Sequence, residues 1–289
     1  MTLTQQLLLL PRSPSWPLEF RELPAAPERL WIRGNLELLA PRPRVAIVGT
    51  RAPTPYGEAQ AARFASVLAS QGVVIVSGWA RGIDQCAHAA ALRVGGTSIA
   101  VLGNGVARPW PAAVIEPQML ESGLFVSEHE PEESPRPHHF PLRNRLISAL
   151  SACVVVIEAA HASGSLITAR WAADQGREVY ALPGRVDHPM ARGAHKLLRE
   201  GAKLVEDPEE ILIDLGLCAD GTRAEAVPEE QRSAVVRALL GETLSAEELA
   251  VRLDAPLTQV LVELVEAEMR GEVVRTAGGR YRRVDPTGA

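Results

Sequence analysis

Five short apolar runs spaced along the middle of this chain constrain its fold more than any other feature. They are "RVAIVG" (44–49), "VVIVSG" (73–78), "TSIAVLG" (97–103), "CVVVIEA" (153–159) and "EVYALPG" (178–184). Runs this short and this continuously apolar suit strands buried on both faces. Between them lie Ala-rich segments with helical spacing. "YGEAQAARFASVLASQG" (56–72) puts Ala61, Phe64, Ala65 and Leu68 on one stripe and stops at Gly72. "DQCAHAAALRVGG" (84–96) and a segment at about 165–176 predict two more helices. Strand and helix in alternation argue for an α/β fold, a parallel sheet with helices on both faces.

The flanks read differently. Residues 1–43 are rich in Pro and Leu with little periodicity, and are expected to be a lead-in that packs on the main domain at 44–217. "EDPEEILIDLG" (206–216) predicts a closing helix capped by Asp207. A polar stretch without periodicity (218–228) reads as a linker. Over 229–289 the sequence predicts three helices at 229–240, 245–253 and 257–271. "EVVRT" and "RYRRV" then predict a β-hairpin. That order is a small C-terminal winged-helix domain.

Charge is uneven. The net charge is −5, made of +1 over residues 1–43, +3 over 44–204 and −9 over 205–289. All seven histidines fall in the middle segment, so a polyanion would bind there and not to the tail. No apolar run approaches the roughly 20 residues of a membrane helix. "LLLL" (7–10) lacks the basic start of a signal peptide, so no membrane association and a cytoplasmic location are expected. Cys86, Cys153 and Cys218 are far apart and form no CxxC, which excludes a disulfide framework or a cysteine zinc site by spacing. No metal and no cofactor are expected.

In open α/β sheets, ligands bind beyond the carboxyl ends of the strands. The outgoing loops here are "GTRAPTPYG" (49–57), "SGWARGID" (77–84), "HASGSLITAR" (161–170) and "LPGRV" (182–186). They offer Gly49, Thr50, Ser77, Gly78, Gly82, Ser163, Gly164, Ser165 and Thr168, with Arg51, Arg81 and Arg185 beside them. Glycines let backbone N–H groups approach a phosphate, helix N-termini favour anions, and guanidinium forks match phosphate oxygens. Neither GxGxxG nor GxxxxGK[ST] occurs, so dinucleotide and NTP binding lack their usual sequence warrant. "FPLRNRLISALS" (140–151) adds Arg143, Asn144 and Arg145. With the helix starting at Leu142, both cations fall in its first turn, where the helix dipole opposes them. An external phosphate would offset that conflict; pairing with Glu128, Glu130, Glu132 or Glu133 is the competing explanation. Trp79 and Phe140, with Tyr56 and Trp110 behind them, are candidates to stack on bases.

Seven segments in fixed order resemble the DprA/Smf family, the DNA-processing proteins of bacterial transformation. They are "VAIVGTRAPTPYG", "VSGWARGIDQCAH", "TSIAVLGNGV", "SEHEPEESPRPHHFPLRNRLISALS", "VVVIEAAHASGSLITARWA", "GREVYALPG" and "GAHKLLREGA", within about residues 20–284. The resemblance implies an extended Rossmann-like domain that dimerises and binds single-stranded DNA. It also implies protection of incoming DNA, loading of the RecA recombinase onto it, and no catalytic activity. Carried over position by position, it gives a DNA or phosphate role to Thr50, Arg51, Ser77, Arg81, Arg143, Asn144, Arg145, Ser163, Ser165, Thr168 and His195, with Lys196 adjacent. The start is too short for the N-terminal helical module that many members carry. Ala162 stands where a basic residue often precedes "SGS", and His195 where Asn is frequent.

Two other functions compete. A nucleotide-hydrolysing enzyme, like the nucleoside monophosphate phosphoribohydrolases, would use "SGSLIT" with Glu158, but the paired glycines of its loop are missing. A transcription factor would read duplex DNA with the third C-terminal helix. That helix carries Glu263, Glu266 and Glu268 against Arg270 alone, which argues for protein contact, with Arg275, Arg280, Arg282 and Arg283 of the hairpin left as an auxiliary basic wing. A homodimer is expected through the edge at 193–205.

Overall fold

The computed structural model describes residues 5–217, 233–269 and 272–283. The chain divides into two compact units, Met1–Ala219 and Asp220–Ala289. The expected linker, Cys218 and Arg270 lie outside the described residues.

The first unit is built on β3 (Arg44–Val48), α1 (Pro55–Ser70), β4 (Val74–Ser77), α2 (Ile83–Arg93), β5 (Ser98–Val101), α3 (Glu116–Ser122), β6 (Gly123–Ser127), α4 (His139–Ala149), β7 (Cys153–Val156), α5 (Ser165–Asp174), β8 (Glu178–Ala181), α6 (Arg192–Arg199), β9 (Lys203–Leu204) and α7 (Pro208–Asp214). Two further strands, β1 (Gln6–Leu9) and β2 (Leu30–Gly34), come from the lead-in. Among the described residues the sheet runs β1-β2-β6-β5-β4-β3-β7-β8-β9. All neighbours from β6 to β9 pair in parallel; β1 on β2 and β2 on β6 pair antiparallel.

The strands are buried on both faces because successive side chains point to opposite sides. Val45, Ile47, Ile75 and Val155 face one layer with Phe64 and Leu68 of α1, Ala87 of α2 and Ile211 of α7. Ala46, Val48, Val76 and Val156 face the other, with Leu146 and Leu150 around α4 and Ala169 of α5. The expected α1 stripe is the one that is buried. Asp207 and Glu210 form a capping box on α7, with Glu210 Oε1 accepting from Asp207 N at 2.9 Å.

Two features depart from the sequence reading. The lead-in does more than cover the domain: Trp16, Phe20, Leu30 and Ile32 enter its core, and β2 extends the sheet. Arg44 fastens it, donating from Nε to Leu150 O at 2.6 Å and from its other nitrogens to carbonyls at 38–40 and to Glu19. Strand β6 was also unread, because Gly123 both caps α3 and opens the strand, so no loop separates them.

The second unit holds α8 (Ala234–Ala238), β10 (Thr243–Ser245), α9 (Ala246–Leu253), α10 (Leu257–Met269), β11 (Val273–Arg275) and β12 (Arg280–Arg283). Three helices and the β11–β12 hairpin follow the expected order, and β10 adds a third strand in the order β10-β12-β11. Val235, Leu249, Val260, Leu264 and Tyr281 form its core. No described helix is long and apolar enough to cross a membrane.

His88 of α2 is fully buried, with Nδ1 2.7 Å from Ser98 Oγ. That hydroxyl donates to Ile75 O, so Nδ1 carries the proton and Nε2 sits buried without a hydrogen-bond partner. Burial first, and Arg143 second, push the imidazole down to about 3. The unfolded chain protonates this group near its ordinary 6.5, so the folded state loses stability as pH falls below that value. Between pH 7 and 5 the loss from His88 is about 2 kcal/mol. Urea unfolding at the two pH values should show His88→Gln losing less stability than the native chain by that amount.

Candidate functional site

The chain leaves β3 toward β4, β5 and β6 on one side and returns to β7 on the other. Loops at 49–54 and 158–164 therefore diverge between β3 and β7, opening a crevice at the topological switch point. A cavity of about 640 Å³ occupies it, with Thr50, Arg51, Phe140, Arg143, Asn144, Ser163, Gly164, Ser165 and Thr168 in its wall. These nine sequence candidates come from three separate segments.

Each segment is held by identifiable bonds. Thr50 N donates to Glu158 O at 2.7 Å. Glu158 also accepts from Thr54 Oγ1 at 2.6 Å and Thr54 N at 2.9 Å, while the Thr54 hydroxyl caps α1 by accepting from Gly57 N. Glu158 is thus committed to fixing the first loop. Asn144 Nδ2 donates to Gly164 O at 3.2 Å, tying α4 to the start of α5. There Ser163 and Ser165 share a 2.8 Å hydroxyl contact, and Gly164 has open space above its Cα. At the N-terminus of α5, Ser165 N donates to Ser163 Oγ at 3.4 Å and Leu166 N to Ser163 O at 3.1 Å, so the positive end of the helix dipole reaches the cavity behind two serine hydroxyls.

Arg143 lies at the floor. It is 3% exposed and donates from Nη1 to Gly78 O at 2.6 Å and to Val101 O. Burial lowers its pKa to about 10, with Asp84 opposing, so it stays a cation at neutral pH. Asp84 accepts from Gly78 N and Ala80 N, each at 3.2 Å. Burial pushes the Asp84 carboxyl up, and Arg143 partly offsets this. Gly78 is required between them: a Cβ there would sit 2.8 Å from both Arg143 Nη2 and Asp84 Oδ2. Asp84 was missed in the sequence because an acid seldom signals an anion site.

At the mouth, Arg51 is exposed, with its guanidinium carbon 5.8 Å from the Phe140 ring centroid. Trp110, 48% exposed, lies 5.6 Å from the same ring. This rim combines a cation with two aromatic faces.

Other candidates have different work. Helix α4 begins at His139, three residues earlier than expected, so Arg143 and Arg145 stand in its second turn and the conflict with the dipole disappears. Arg145 pairs with Glu128 through both terminal nitrogens, at 2.8 and 2.7 Å, and its Nε donates to Ala25 O. It is a structural cation, as the competing explanation held. Ser77 is buried and donates to Ile47 O at 2.6 Å, so it holds β4 to β3. Trp79 cannot stack on a base: it is fully buried edge-on against Phe125, its Nε1 donating to Pro111 O. Gly49 and Gly82 serve packing, the first against Ile83 and the second, at φ 82°, against the Thr50 carbonyl.

Arg81, Arg185, His195 and Lys196 do not line the cavity. Arg185 pairs with Asp187, His195 Nε2 lies 3.0 Å from Gly184 O, and Lys196 lies 3.7 Å from Glu200. Leu197, at the edge expected to dimerise, is partly buried against the core, while Leu204 of the same edge is 51% exposed.

Fold and site together define a doubly wound, mostly parallel sheet protein with a polar, cation-rimmed crevice at its switch point. The family model described as DNA recombination-mediator protein A matches residues 7–216, and the chain belongs to that family. Protein Smf of Escherichia coli (strain K12) is 42% identical over 269 residues, 89% of this chain and 72% of that protein. DNA processing protein DprA of Bacillus subtilis (strain 168) is 39% identical, covering 70% of this chain and 69% of its own. The X-ray structure of DNA processing protein A from Streptococcus pneumoniae matches with a TM-score of 0.68 at 39% identity, over 73% of this chain and 75% of that one. The protein of the same name from Helicobacter pylori, whose structure concerns its single-stranded DNA binding mode, matches at 0.67 and 32% identity, over 73% and 95%.

Gly78→Ala should separate Arg143 from Asp84 and lower stability by about 1–3 kcal/mol. Denaturant midpoints of the two proteins measure it.

Proposed function

We propose that this chain binds single-stranded DNA by its backbone at the switch-point crevice, protects incoming strands during transformation and passes them to a RecA recombinase. The observation that carries the reading is the meeting of the serine-lined α5 N-terminus, the buried Arg143 cation and the Arg51–Phe140–Trp110 rim on one cavity. Phosphate would lie against Ser163, Gly164 and Ser165, with Thr50, Asn144 and Thr168 as further hydrogen-bonding groups. Arg51 would supply mobile charge at the mouth, and Phe140 with Trp110 a stacking surface that tolerates any base. The DNA-processing names of the relatives and the single-stranded DNA binding of the Helicobacter pylori protein support the same reading.

Binding, and not hydrolysis, is the proposed activity. Glu158, the acid a nucleotide-hydrolysing site would need, already accepts two bonds from Thr54. The second unit is proposed to be a winged helix that contacts protein. Leu261, Val262 and Val265 of α10 are exposed beside its glutamates, and Arg280 of the hairpin is paired with Glu248. Dimerisation is proposed through the edge at 193–205, where Leu204 is exposed.

A salt titration of fluorescent oligo-dT binding tests the central reading. Arg51→Ala should weaken binding alike for oligo-dT and mixed sequence, and reduce the slope of log K against log salt by about 0.7. Equal slopes for the two proteins, or tighter binding of duplex than of single strands, would overturn it.

A further inference from the structure

We propose that His129, Glu133 and His139 bind one divalent transition-metal ion, zinc by preference, which cross-links the 129–139 segment beside the crevice.

The segment leaves β6 and enters α4, and the main chain holds it at several points. Gly105 N donates to Glu133 O and Ala107 N to Pro131 O, each at 2.9 Å. Ser127 Oγ accepts from His129 N at 3.1 Å and donates to Asn104 O at 2.7 Å. This scaffold brings one ring nitrogen from each histidine and a Glu133 carboxylate oxygen within 4.8 Å of one another. His129 Nδ1 lies 3.7 Å from Glu133 Oε2, and His139 Nε2 lies 3.7 Å from Glu133 Oε1. Ligands about 2.0–2.1 Å from a tetrahedral zinc stand roughly 3.4 Å apart, so only small shifts are needed in these separations.

The ring orientations also fit. His139 is 5% exposed and its Nδ1 lies 3.1 Å from Gly103 O. A carbonyl only accepts, so Nδ1 carries a proton and Nε2 is the nitrogen turned toward Glu133. A backbone carbonyl orienting the far nitrogen in this way is the usual support of a metal-binding histidine. His129 has its Nε2 buried without a hydrogen-bond partner. Glu128 next door is already held by Arg145 and does not compete.

Two imidazoles and one carboxylate suit zinc. Calcium and magnesium prefer all-oxygen sets. The two rings now stack with centroids 3.9 Å apart and planes 18° from parallel. One ion cannot lie in the planes of two stacked rings, so binding must turn them apart. Because His139 precedes Phe140, the ion would also stiffen the aromatic rim.

Titration of zinc into the chelator-treated full chain, read by calorimetry and thermal unfolding, tests the assignment. One equivalent should bind and raise Tm, and magnesium should do neither. Cobalt in place of zinc should give visible d–d absorption of a nitrogen–oxygen site. His129→Ala and the shape-conserving Glu133→Gln should each weaken binding at least about tenfold, while His138→Ala, at the exposed neighbour, should leave it unchanged. Circular dichroism of metal-free variants checks that they fold. Absence of stoichiometric zinc binding, or affinity unchanged in a folded Glu133→Gln, would overturn the proposal.

Discussion

The crevice depends on where one guanidinium is buried. Arg143 projects from α4 and gives its hydrogen bonds to main-chain carbonyls at the ends of β4 and β5. Burying a cation costs several kcal/mol unless its donors are satisfied. Here carbonyls satisfy them, and Asp84 supplies opposite charge across Gly78. The arrangement pins α4 over the carboxyl ends of the strands, and without it the cavity would lose a wall. Asn144, one residue on, continues the tie to the 158–164 loop through Gly164. Adjacent residues of one helix thus join the two halves of the sheet on either side of the switch point.

This explains why the arginine pair looked anomalous in the sequence. Placing the helix start at Leu142 put two cations in a first turn and called for an outside anion. The helix starts at His139, and both cations have internal partners: carbonyls for Arg143, Glu128 for Arg145. Pro141 is tolerated in this first turn, where its missing N–H has no helical acceptor to lose. Charge in a sequence does not announce whether it is committed within the fold. Arg51 remains available because it stands on an exposed loop after β3, with an aromatic ring as its nearest support.

The parallel sheet was legible because strands buried on both faces have a simple signature, and Val45 to Val48 or Val154 to Val156 carry it without interruption. The glycines, serines and threonines of the outgoing loops were also legible as a set, since the switch-point rule says which strand ends matter. What escaped was whatever depends on long-range contact. Nothing local marks "LWIRG" (30–34) as a strand, because its pairing partner lies at 124–127. Trp79 looked like a rim residue by position, yet its φ of 64° turns the backbone so that the ring enters the core beside Phe125. Ser77 looked like a loop hydroxyl and is the last residue of β4. Trp110, given little weight in the sequence, reaches the mouth from the loop after β5 by packing on Phe140.

The same distinction between committed and available groups bears on how the crevice would, on the proposed reading, accept any sequence of bases. Its deep charges, Arg143 and Asp84, are paired across Gly78 and cannot move to follow one base or another. Its movable groups, Arg51, Phe140 and Trp110, stand at the mouth, where a guanidinium and flat rings meet every nucleotide in the same way. Discrimination between bases would need buried donors and acceptors set against base edges. The polar groups in this wall are instead hydroxyls, an amide tied to Gly164 and a helix N-terminus, which match phosphate oxygens better than base edges. A fixed polar floor under an aromatic rim is therefore the physical form that the proposed sequence-independent grip on a strand would take in this fold.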